Sequence, residues 1–264
     1  MMPLDRLHAA LRDMGGIAVA VSGGIDSLTL AIAAHRARPG GVTMHHATSP
    51  AVPPEATERT RALAAAEGWR LDVFDAGEFA DPAYRANPVN RCFFCKTSLY
   101  GAVASRTSRQ IVSGTNLDDL GEYRPGLEAA RAHAVRHPFV EAEIGKRTVR
   151  ALAAELGLGA LAELPSAPCL SSRIETGIRI EAPVLAMVHA VEKLVGARLS
   201  PQTVRCRVRA GGVVIELDLA ALQALDATQD GLRAEVQHLA DAVGLPAPVR
   251  FAAYRNGSAF LVPA

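Results

Sequence analysis

A continuous apolar run, Ile17–Val21, leads directly into the segment Ser22-Gly23-Gly24-Ile25-Asp26-Ser27, which opens an alanine- and leucine-rich helix predicted at residues 28–38. A short run without polar residues is typical of a strand buried on both faces. The two adjacent glycines allow the backbone to approach a ligand closely, and the N–H groups of a helix N-terminus attract an anion. The sequence therefore predicts a phosphate-binding turn after the first strand.

The alternation of strands and helices continues after this turn. Further strands are predicted at residues 42–45, 71–74 and 110–114, and further helices at 54–68, 99–106 and 148–156. Alternation of this kind is typical of a parallel sheet covered by helices on both faces. We therefore expect an α/β domain with a doubly wound parallel sheet.

Two prolines in Leu164-Pro165-Ser166-Ala167-Pro168 interrupt the helical pattern and predict a boundary. The expected domains are residues 1–165 and a smaller α+β domain at residues 166–264. The elements predicted in the second domain are a helix at 183–195, a hairpin with strands 203–208 and 213–217, a helix at 219–243 and a strand at 251–254. The hairpin is predicted from the Gly211-Gly212 turn between β-branched runs.

Composition and charge narrow the expected partners. The chain has 264 residues, 49% of them hydrophobic, and a net charge of +1. It carries no tract rich in lysine and arginine, and its N-terminus, with Asp5 near the start, lacks a long apolar run. We expect a cytoplasmic protein that binds small anions, with no membrane partner and no nucleic-acid partner. The oligomeric state, including a homo-oligomer, is open at this point.

The glycine-containing segment has a simpler alternative interpretation. A strand-to-helix turn capped by aspartate or serine would explain any two of its polar residues without a ligand. The complete hexapeptide favours a nucleotide. The pattern Gly-x-x-x-x-Gly-Lys-Ser/Thr, whose lysine binds the β- and γ-phosphates, is absent from the sequence. Transfer of the γ-phosphate is therefore not expected.

The Ser-Gly-Gly-x-Asp-Ser segment resembles the loop of the PP-loop ATP pyrophosphatases, of the adenine nucleotide alpha hydrolase superfamily. Such enzymes cleave ATP between its α- and β-phosphates and pass AMP to a substrate oxygen, which a nitrogen or sulfur nucleophile then displaces. The resemblance implies a site for ATP and Mg²⁺. The residues implied at the pyrophosphate are Gly23, Gly24 and Ser27, assisted by Ser22. Asp26 would orient the loop or Mg²⁺, and Ser49 would face the adenosine.

The cysteines need a chemical explanation, because four cysteines are too few for a disulfide framework. Cys92 and Cys95 form a Cys-x-x-Cys pair, and Cys169 lies between Pro168 and a polar segment. Soft thiolates suit an iron–sulfur cluster or zinc. A three-cysteine zinc site completed by a histidine and a redox dithiol are alternatives. Cys206, between two arginines on a predicted strand, is interpreted as structural.

The cysteine segments resemble a narrower group, the LarE family of pyridinium-3,5-biscarboxylate mononucleotide sulfur transferases. The segments Gly114–Asp119, Tyr123–Leu127 and Arg205–Val208 also match that family, so that the resemblance extends from the glycine-containing segment to about residue 217. It implies that Cys169 is the catalytic sulfur site. Because all three cysteines are present, it also implies that Cys92, Cys95 and Cys169 hold a [4Fe–4S] cluster fed by a sulfide source. Other members have this cysteine alone and surrender its sulfur.

Further polar residues complete the expected site. Asn116, Asp118 and Asp119 are expected at the nucleotide or Mg²⁺, although they could equally cap a helix. The residues expected to bind the phosphate and carboxylate groups of a substrate, or else to be surface charges, are Arg124, Arg173, Arg205 and Arg207. Glu216 is expected to bind a metal or to face the substrate.

Several polar residues receive no role from the sequence. The histidines interpreted as structural or solvated are His45, His46, His133, His137 and His189. The acidic residues left unassigned are Glu192, Asp218 and Asp226.

The expected function is an ATP-dependent sulfur transfer. The enzyme would adenylylate a carboxylate of a small substrate resembling pyridinium biscarboxylate mononucleotide and convert it to a thiocarboxylate for the nickel-pincer cofactor. A tRNA-thiolating enzyme is one alternative, and an amide synthetase of the NAD- or GMP-forming kind, which needs none of the three cysteines, is another. A third alternative is a nucleotide-sensing protein related to the universal stress proteins.

Overall fold

The computed structural model of the protein describes residues 1–121, 124–164, 168–225, 229–245 and 248–261. In this part of the chain the strands are β1 (Ile17–Ala20), β2 (Val42–Thr48), β3 (Leu71–Asp75), β4 (Gln110–Ser113), β5 (Val204–Arg209), β6 (Gly212–Leu217) and β7 (Val249–Ala253). The α-helices are α1 (Pro3–Arg12), α2 (Ile25–Ala37), α3 (Pro54–Glu67), α4 (Pro82–Arg85), α5 (Arg91–Ala104), α6 (Gly126–Ala132), α7 (Pro138–Glu141), α8 (Lys146–Glu155), α9 (Ala182–Leu199), α10 (Leu219–Gln223) and α11 (Gln229–Asp241). Short 3₁₀ helices cover Glu78–Ala80, Leu117–Gly121, Gly159–Glu163 and Leu170–Arg173.

The chain divides into two units. The first comprises Met1–Asp81 and Asn90–Ala167, and the second comprises Pro82–Val89 and Pro168–Ala264. The boundary predicted at residue 165 lies outside the described residues. The segment Pro82–Val89 belongs to the second unit although residues of the first unit precede and follow it in the sequence.

The first unit is built on a parallel sheet with strand order β3-β2-β1-β4. Ile17 at the start of β1 pairs with Val42 of β2 on one side and with Gln110 of β4 on the other. Alternate residues of β1 pack into different cores: Ile17 with residues of α1, α2 and α8, and Ala18 with residues of α5 and α6. Because β1 is buried on both faces, it is apolar throughout. The predicted doubly wound α/β sheet is confirmed.

Helix boundaries in this unit follow local signals. α2 begins after the N-cap Gly24 and has Asp26 in its first turn, where a carboxylate is favoured by the helix dipole. α3 ends at Glu67 and is capped by Gly68, whose φ of 68° is the left-handed conformation that glycine adopts readily. α5 begins at Arg91, earlier than the helix predicted at residues 99–106. Cys92 therefore lies in its first turn and Cys95 about one turn later.

The second unit contains the sheet β5-β6-β7, in which β5 and β6 are antiparallel and β7 is parallel to β6. The predicted hairpin is confirmed, and α9 packs against β5. A single helix was predicted at residues 219–243, whereas the structure has α10 and α11, between which residues 226–228 are not described. This smaller α+β unit agrees with the predicted class.

The segment Pro82–Val89 is fixed to its unit by long-range hydrogen bonds. The Asn87 side-chain amide donates to the carbonyl oxygens of Glu175 at 2.8 Å and Ile178 at 3.0 Å. The Tyr84 hydroxyl lies 2.7 Å from the Ser171 hydroxyl, and both residues are buried.

Among the described residues, no helix is both long and apolar enough to span a bilayer.

Candidate active site

The segment Ser22–Ser27, named here the glycine loop, joins β1 to α2 and is organised around one hydroxyl group. Ser27 Oγ accepts the Ser22 N–H at 3.1 Å and donates to the Gly24 carbonyl oxygen at 2.9 Å. Ser22 Oγ lies 3.1 Å from Ser27 Oγ and accepts the Gly24 N–H at 3.3 Å. The loop is thus held in shape by its own hydrogen bonds.

Gly23 occupies a position that only glycine fits. Its φ is +78°, and a Cβ atom there would lie 2.5 Å from the Ala56 carbonyl oxygen. Its own carbonyl oxygen accepts a hydrogen bond from Arg59 Nη1 at 3.0 Å. The first turns of α3 therefore pack directly on the loop.

The loop lies at the carboxyl edge of the sheet, where β1 and its neighbour β4 both end. A Cβ atom on Gly114, which follows β4, would lie 2.8 Å from the Ser27 backbone nitrogen. Between these strands the order of the sheet reverses, since β2 and β3 lie on the other side of β1. Open α/β sheets bind ligands at such a switch point.

Asp26 and Lys146 form an ion pair beside the loop. Lys146 Nζ lies 2.5 Å from Asp26 Oδ2, and the side chains are 30% and 28% exposed. The Lys146 backbone N–H donates to Asp118 Oδ2 at 2.6 Å. Within the described residues, the buried Asp26 Oδ1 has no hydrogen-bond partner. A carboxylate oxygen in this state suits a cation such as Mg²⁺.

The acidic turn after β4 is held by its own side chains. The Asn116 N–H donates to Asp119 Oδ2 at 3.0 Å, and the Asp118 N–H donates to Asn116 Oδ1 at 3.1 Å. Arg124 Nη2 lies 2.8 Å from Asp119 Oδ1. In these contacts side-chain oxygens accept backbone N–H groups of the same turn, as expected if the residues cap a helix. Asp118 also contacts Lys146, as described above. The expected nucleotide role of these residues stays a prediction.

Ser49 follows β2 at the same edge of the sheet, and its Oγ accepts the Ala51 N–H at 3.2 Å. Tyr123, part of a segment that matches the LarE family, lies outside the described residues.

The cysteines differ in burial. Cys92 and Cys95 of the first unit and Cys169 of the second are partly exposed, whereas Cys206 is fully buried, and none forms a disulfide. Burial raises the pKa of the Cys206 thiol, in keeping with its interpretation as structural. Among the described residues, no group of three or more His, Cys, Asp or Glu side chains is arranged to hold a metal ion.

Arg173 braces the segment that carries Cys169. Its guanidinium donates to the carbonyl oxygens of Pro168 at 2.6 Å and Cys169 at 3.1 Å. The same group makes a two-fold contact with Glu192, at 2.9 and 3.0 Å, and its side chain is only 4% exposed. Glu192 also accepts the Cys206 N–H at 3.0 Å. In this structure Arg173 fixes the backbone of Cys169, and its expected contact with substrate stays a prediction.

Arg207 and Glu216 face each other across β5 and β6. Arg207 Nε lies 2.9 Å from Glu216 Oε2, and Arg209 Nη2 lies 3.0 Å from Glu216 Oε1. The Ser258 hydroxyl donates to Glu216 Oε1 at 2.6 Å. Although burial acts to raise it, hydrogen bonds from Ser258 and Arg207 keep the pKa of Glu216 below its ordinary value. Both charges of this pair are satisfied inside the second unit.

Arg205 and Asp218 have different surroundings. Burial lowers the pKa of the Arg205 guanidinium, which lies 5.9 Å from the centre of the Tyr254 ring. Asp218 caps α10 by accepting the Ala221 N–H at 3.1 Å, and backbone hydrogen bonds from Ala221 and Thr203 lower its pKa. Asp218 is therefore a capping residue, and Asp226 lies outside the described residues.

Known proteins resemble this chain over most of its length. A pyridinium-3,5-bisthiocarboxylic acid mononucleotide synthase of Lactiplantibacillus plantarum is 31% identical over 238 residues, which cover 88% of this chain and 86% of the relative. The chain belongs to the family of this synthase. The predicted membership of the LarE family is thereby confirmed.

Two further relatives of this family member are uncharacterized proteins. One, from Synechocystis, is 34% identical over 224 residues, or 83% of each chain. The other, from Methanocaldococcus jannaschii, is 31% identical over 111 residues, or 40% of this chain and 43% of the relative. No protein-family model matches the chain.

Sequence patterns missed the contacts of three residues of this family member with the glycine loop or with Val21, the residue before it. Lys146 pairs with Asp26, and Arg59 donates to Gly23. His46, interpreted as structural or solvated, is buried, with Nδ1 2.8 Å from the Val21 carbonyl oxygen and Nε2 2.8 Å from Thr57 Oγ1. No spacing links these residues to the loop, because all three come from elements that the fold brings to it.

Proposed function

We propose that the chain is an ATP-dependent sulfur transferase that converts a carboxylate of a pyridinium mononucleotide to a thiocarboxylate. The observation that carries the proposal is the 31% identity to the pyridinium-3,5-bisthiocarboxylic acid mononucleotide synthase over 88% of the chain. The glycine loop, with the geometry of an anion site at the switch point of the sheet, supports the use of ATP.

The proposed nucleotide site uses backbone donors. The first N–H groups of α2 have no partners within their helix, and the helix dipole adds positive charge where the loop ends. The pyrophosphate portion of ATP would lie against Gly23, Gly24 and Ser27, with Ser22 and the Lys146 ammonium nearby. Asp26 is the proposed Mg²⁺ ligand, since its second carboxylate oxygen is buried without a hydrogen bond among the described residues.

The first chemical step is adenylylation. A substrate carboxylate oxygen attacks the α-phosphorus of ATP, the bond from that phosphorus to the oxygen bridging to the β-phosphate breaks, and pyrophosphate leaves with that electron pair. Fixed N–H donors lower the barrier because they are already oriented towards the departing charge. The product is an acyl-adenylate, in which AMP has become the leaving group.

The second step transfers sulfur. A sulfur nucleophile attacks the acyl carbon, the bond to the AMP oxygen breaks, and AMP and a thiocarboxylate are released. Arg124, Arg205 and the paired Arg173 and Arg207 are proposed to orient the phosphate and carboxylate groups of the substrate. Glu216 acts in this proposal through the two arginines that it binds.

The proposed sulfur source rests on thiol chemistry. Cys92 and Cys95 are separated by one helical turn in α5 and are partly exposed, which fits two thiolate ligands of an iron–sulfur cluster. With Cys169 as the third ligand, as the family resemblance implies, a [4Fe–4S] cluster would supply an open iron for an extra sulfide. Without a cluster, the Cys169 thiolate is the proposed nucleophile: it displaces AMP to form a thioester, and loss of the Cys169 α-proton with cleavage of its Cβ–S bond then releases the thiocarboxylate and leaves dehydroalanine.

A direct test supplies Mg²⁺, ATP, sulfide and pyridinium-3,5-biscarboxylic acid mononucleotide to the anaerobically purified protein. We expect AMP and pyrophosphate in equal amounts and a product in which sulfur has replaced one carboxylate oxygen, measured by mass spectrometry. Cys169→Ser should still release pyrophosphate but form no thiocarboxylate, whereas the control Cys206→Ala should keep both reactions. Failure of the wild-type protein to release pyrophosphate with this substrate would contradict the proposal.

The cluster has its own test. Iron and sulfide analysis with an absorption spectrum should give a brown, iron-containing protein, and Cys92→Ala should lose the iron. If the wild-type protein is colourless and iron-free, the cluster is refuted. Loss of one hydrogen sulfide from the protein mass after turnover would then identify Cys169 as the consumed sulfur source.

A further inference from the structure

The peptide group between Gly23 and Gly24 is hydrogen-bonded at both of its polar ends. Its carbonyl oxygen accepts a hydrogen bond from Arg59 Nη1 at 3.0 Å, and its N–H is directed oppositely, to Ser22 Oγ at 3.3 Å. The Gly24 N–H therefore lies on the side of the serine hydroxyls that form the inside of the loop.

This peptide group has two glycines as its neighbours. Because neither residue has a Cβ atom, the peptide can rotate by half a turn at little steric cost. Rotation would direct the Gly23 carbonyl, which carries partial negative charge, to the side on which the N–H now lies. An anion that is attracted by the first orientation is repelled by the second, so the loop needs something that selects between them.

Arg59 is anchored where it can make this selection. It belongs to α3, and Ala56 of the same helix packs against Gly23 so closely that a Cβ on Gly23 would lie 2.9 Å from the Ala56 Cβ. Thr57 Oγ1 lies 2.8 Å from His46 Nε2, whose other ring nitrogen contacts the Val21 carbonyl oxygen. The first turns of α3 thus hold the chain before the loop and within it.

We propose that Arg59 is a positioning residue for nucleotide binding, whose guanidinium keeps the Gly23–Gly24 peptide oriented with its N–H towards the phosphates. The inference rests on the proposed function, since it assigns ATP and pyrophosphate to the glycine loop. Arg59 acts through the loop backbone and offsets the partial negative charge of the Gly23 carbonyl.

The test measures binding of Mg·ATP and of inorganic pyrophosphate to the full-length protein by isothermal titration calorimetry. Arg59→Ala should weaken both by about 10- to 100-fold, the range expected when a charged hydrogen bond is lost. The thermal midpoint of the ligand-free protein should move little, because the contact is partly exposed. Arg59→Lys, which retains a cationic donor, should recover most of the affinity.

Arg61→Ala is the matched control. Arg61 lies on the same helix, its side chain is exposed, and among the described residues it has no hydrogen bond to the loop. Arg61→Ala removes a positive charge two residues from Arg59 and should leave the affinities for Mg·ATP and pyrophosphate unchanged. An equal loss in Arg61→Ala would assign the effect to overall charge and would overturn the positioning role.

Two other outcomes would also overturn it. One is an Arg59→Ala protein that binds both ligands as tightly as the wild type. The other is a loss of affinity that accompanies a lowered thermal midpoint and is not recovered by Arg59→Lys, as expected of an ordinary structural residue. If the wild-type protein binds neither ligand, the proposed use of ATP is at fault instead.

Discussion

The glycine loop of the first unit and the strand pair β5–β6 of the second are held by different forces. In the loop, Ser22, Gly24 and Ser27 are joined by hydrogen bonds between neutral groups. In β5–β6, Arg207 and Glu216 form a buried ion pair. The loop network leaves the first N–H groups of α2 available to a ligand, whereas a buried ion pair is strongly destabilised when one of its two charges is removed. An arginine in the sequence is therefore not by itself evidence of a ligand contact.

The largest expected effect comes from breaking the buried pair. Glu216→Gln leaves the buried Arg207 charge without its carboxylate partner and should lower the free energy of unfolding by about 3–5 kcal/mol. Urea denaturation measures this change. The control is Glu235→Gln, which breaks the exposed pair with Arg198 and should cost less than about 1 kcal/mol. Equal losses in the two variants would refute the distinction between the regions.

The next effect tests the geometry of the loop. Gly23→Ala forces a side chain into a φ of +78° and against the Ala56 carbonyl. We expect a loss of at least about 1–2 kcal/mol of stability and weaker binding of pyrophosphate. Gly40→Ala is the control, because Gly40 has a φ of +77° but no atom within 4 Å of the added Cβ. It should cost a similar conformational strain and leave pyrophosphate binding intact, and a comparable binding defect would count against the loop assignment.

A third effect depends on pH and concerns the buried pair alone. The pKa of Glu216 is lower in the folded protein than its ordinary value, which represents the unfolded chain. Its stabilising contribution is therefore complete above the ordinary pKa and is lost as the pH falls through the lowered one. The difference in unfolding free energy between wild type and Glu216→Gln should shrink on acidification from neutral pH, as measured by urea titrations. A difference independent of pH would contradict the assignment.

The smallest effect concerns the ion pair beside the loop. Lys146 and Asp26 are both partly exposed, so their interaction should contribute only about 0.2–1 kcal/mol to stability. A double-mutant cycle with Lys146→Met and Asp26→Asn measures this coupling in the ligand-free protein. A coupling as large as the effect of Glu216→Gln would place the pair in the same class as the buried network.

Much of the first unit follows from the sequence pattern. Ile17–Val21 is apolar because β1 is covered on both faces, and the alternation of strands and helices specifies a parallel sheet with crossovers. The start of α5 was not found, since the segment Arg91–Lys96 has no helical alternation of apolar and polar residues. The same segment buries Arg91 while Cys92 and Cys95 remain partly exposed.

The partners of charged residues could not be predicted. Arg173 and Arg207 have side chains of the type that binds anions. In the structure, however, the guanidinium group of Arg173 contacts Glu192, and that of Arg207 contacts Glu216. Glu192 lies on α9 and had no assigned role. Charge alone does not identify the partner of a side chain, because pairing is decided by which elements pack together.

The sequence by itself determined the glycine loop, the class of the fold and the chemical character of the cysteines, since these depend on local backbone freedom, periodicity and residue type. The tertiary structure decided how the loop is supported. Arg59 and Lys146 reach it from α3 and α8, and the segment Pro82–Val89 joins the second unit through Asn87. Contacts between distant parts of the chain form only when the helices pack on the sheet. The pattern of neighbouring residues in the sequence therefore does not predict them.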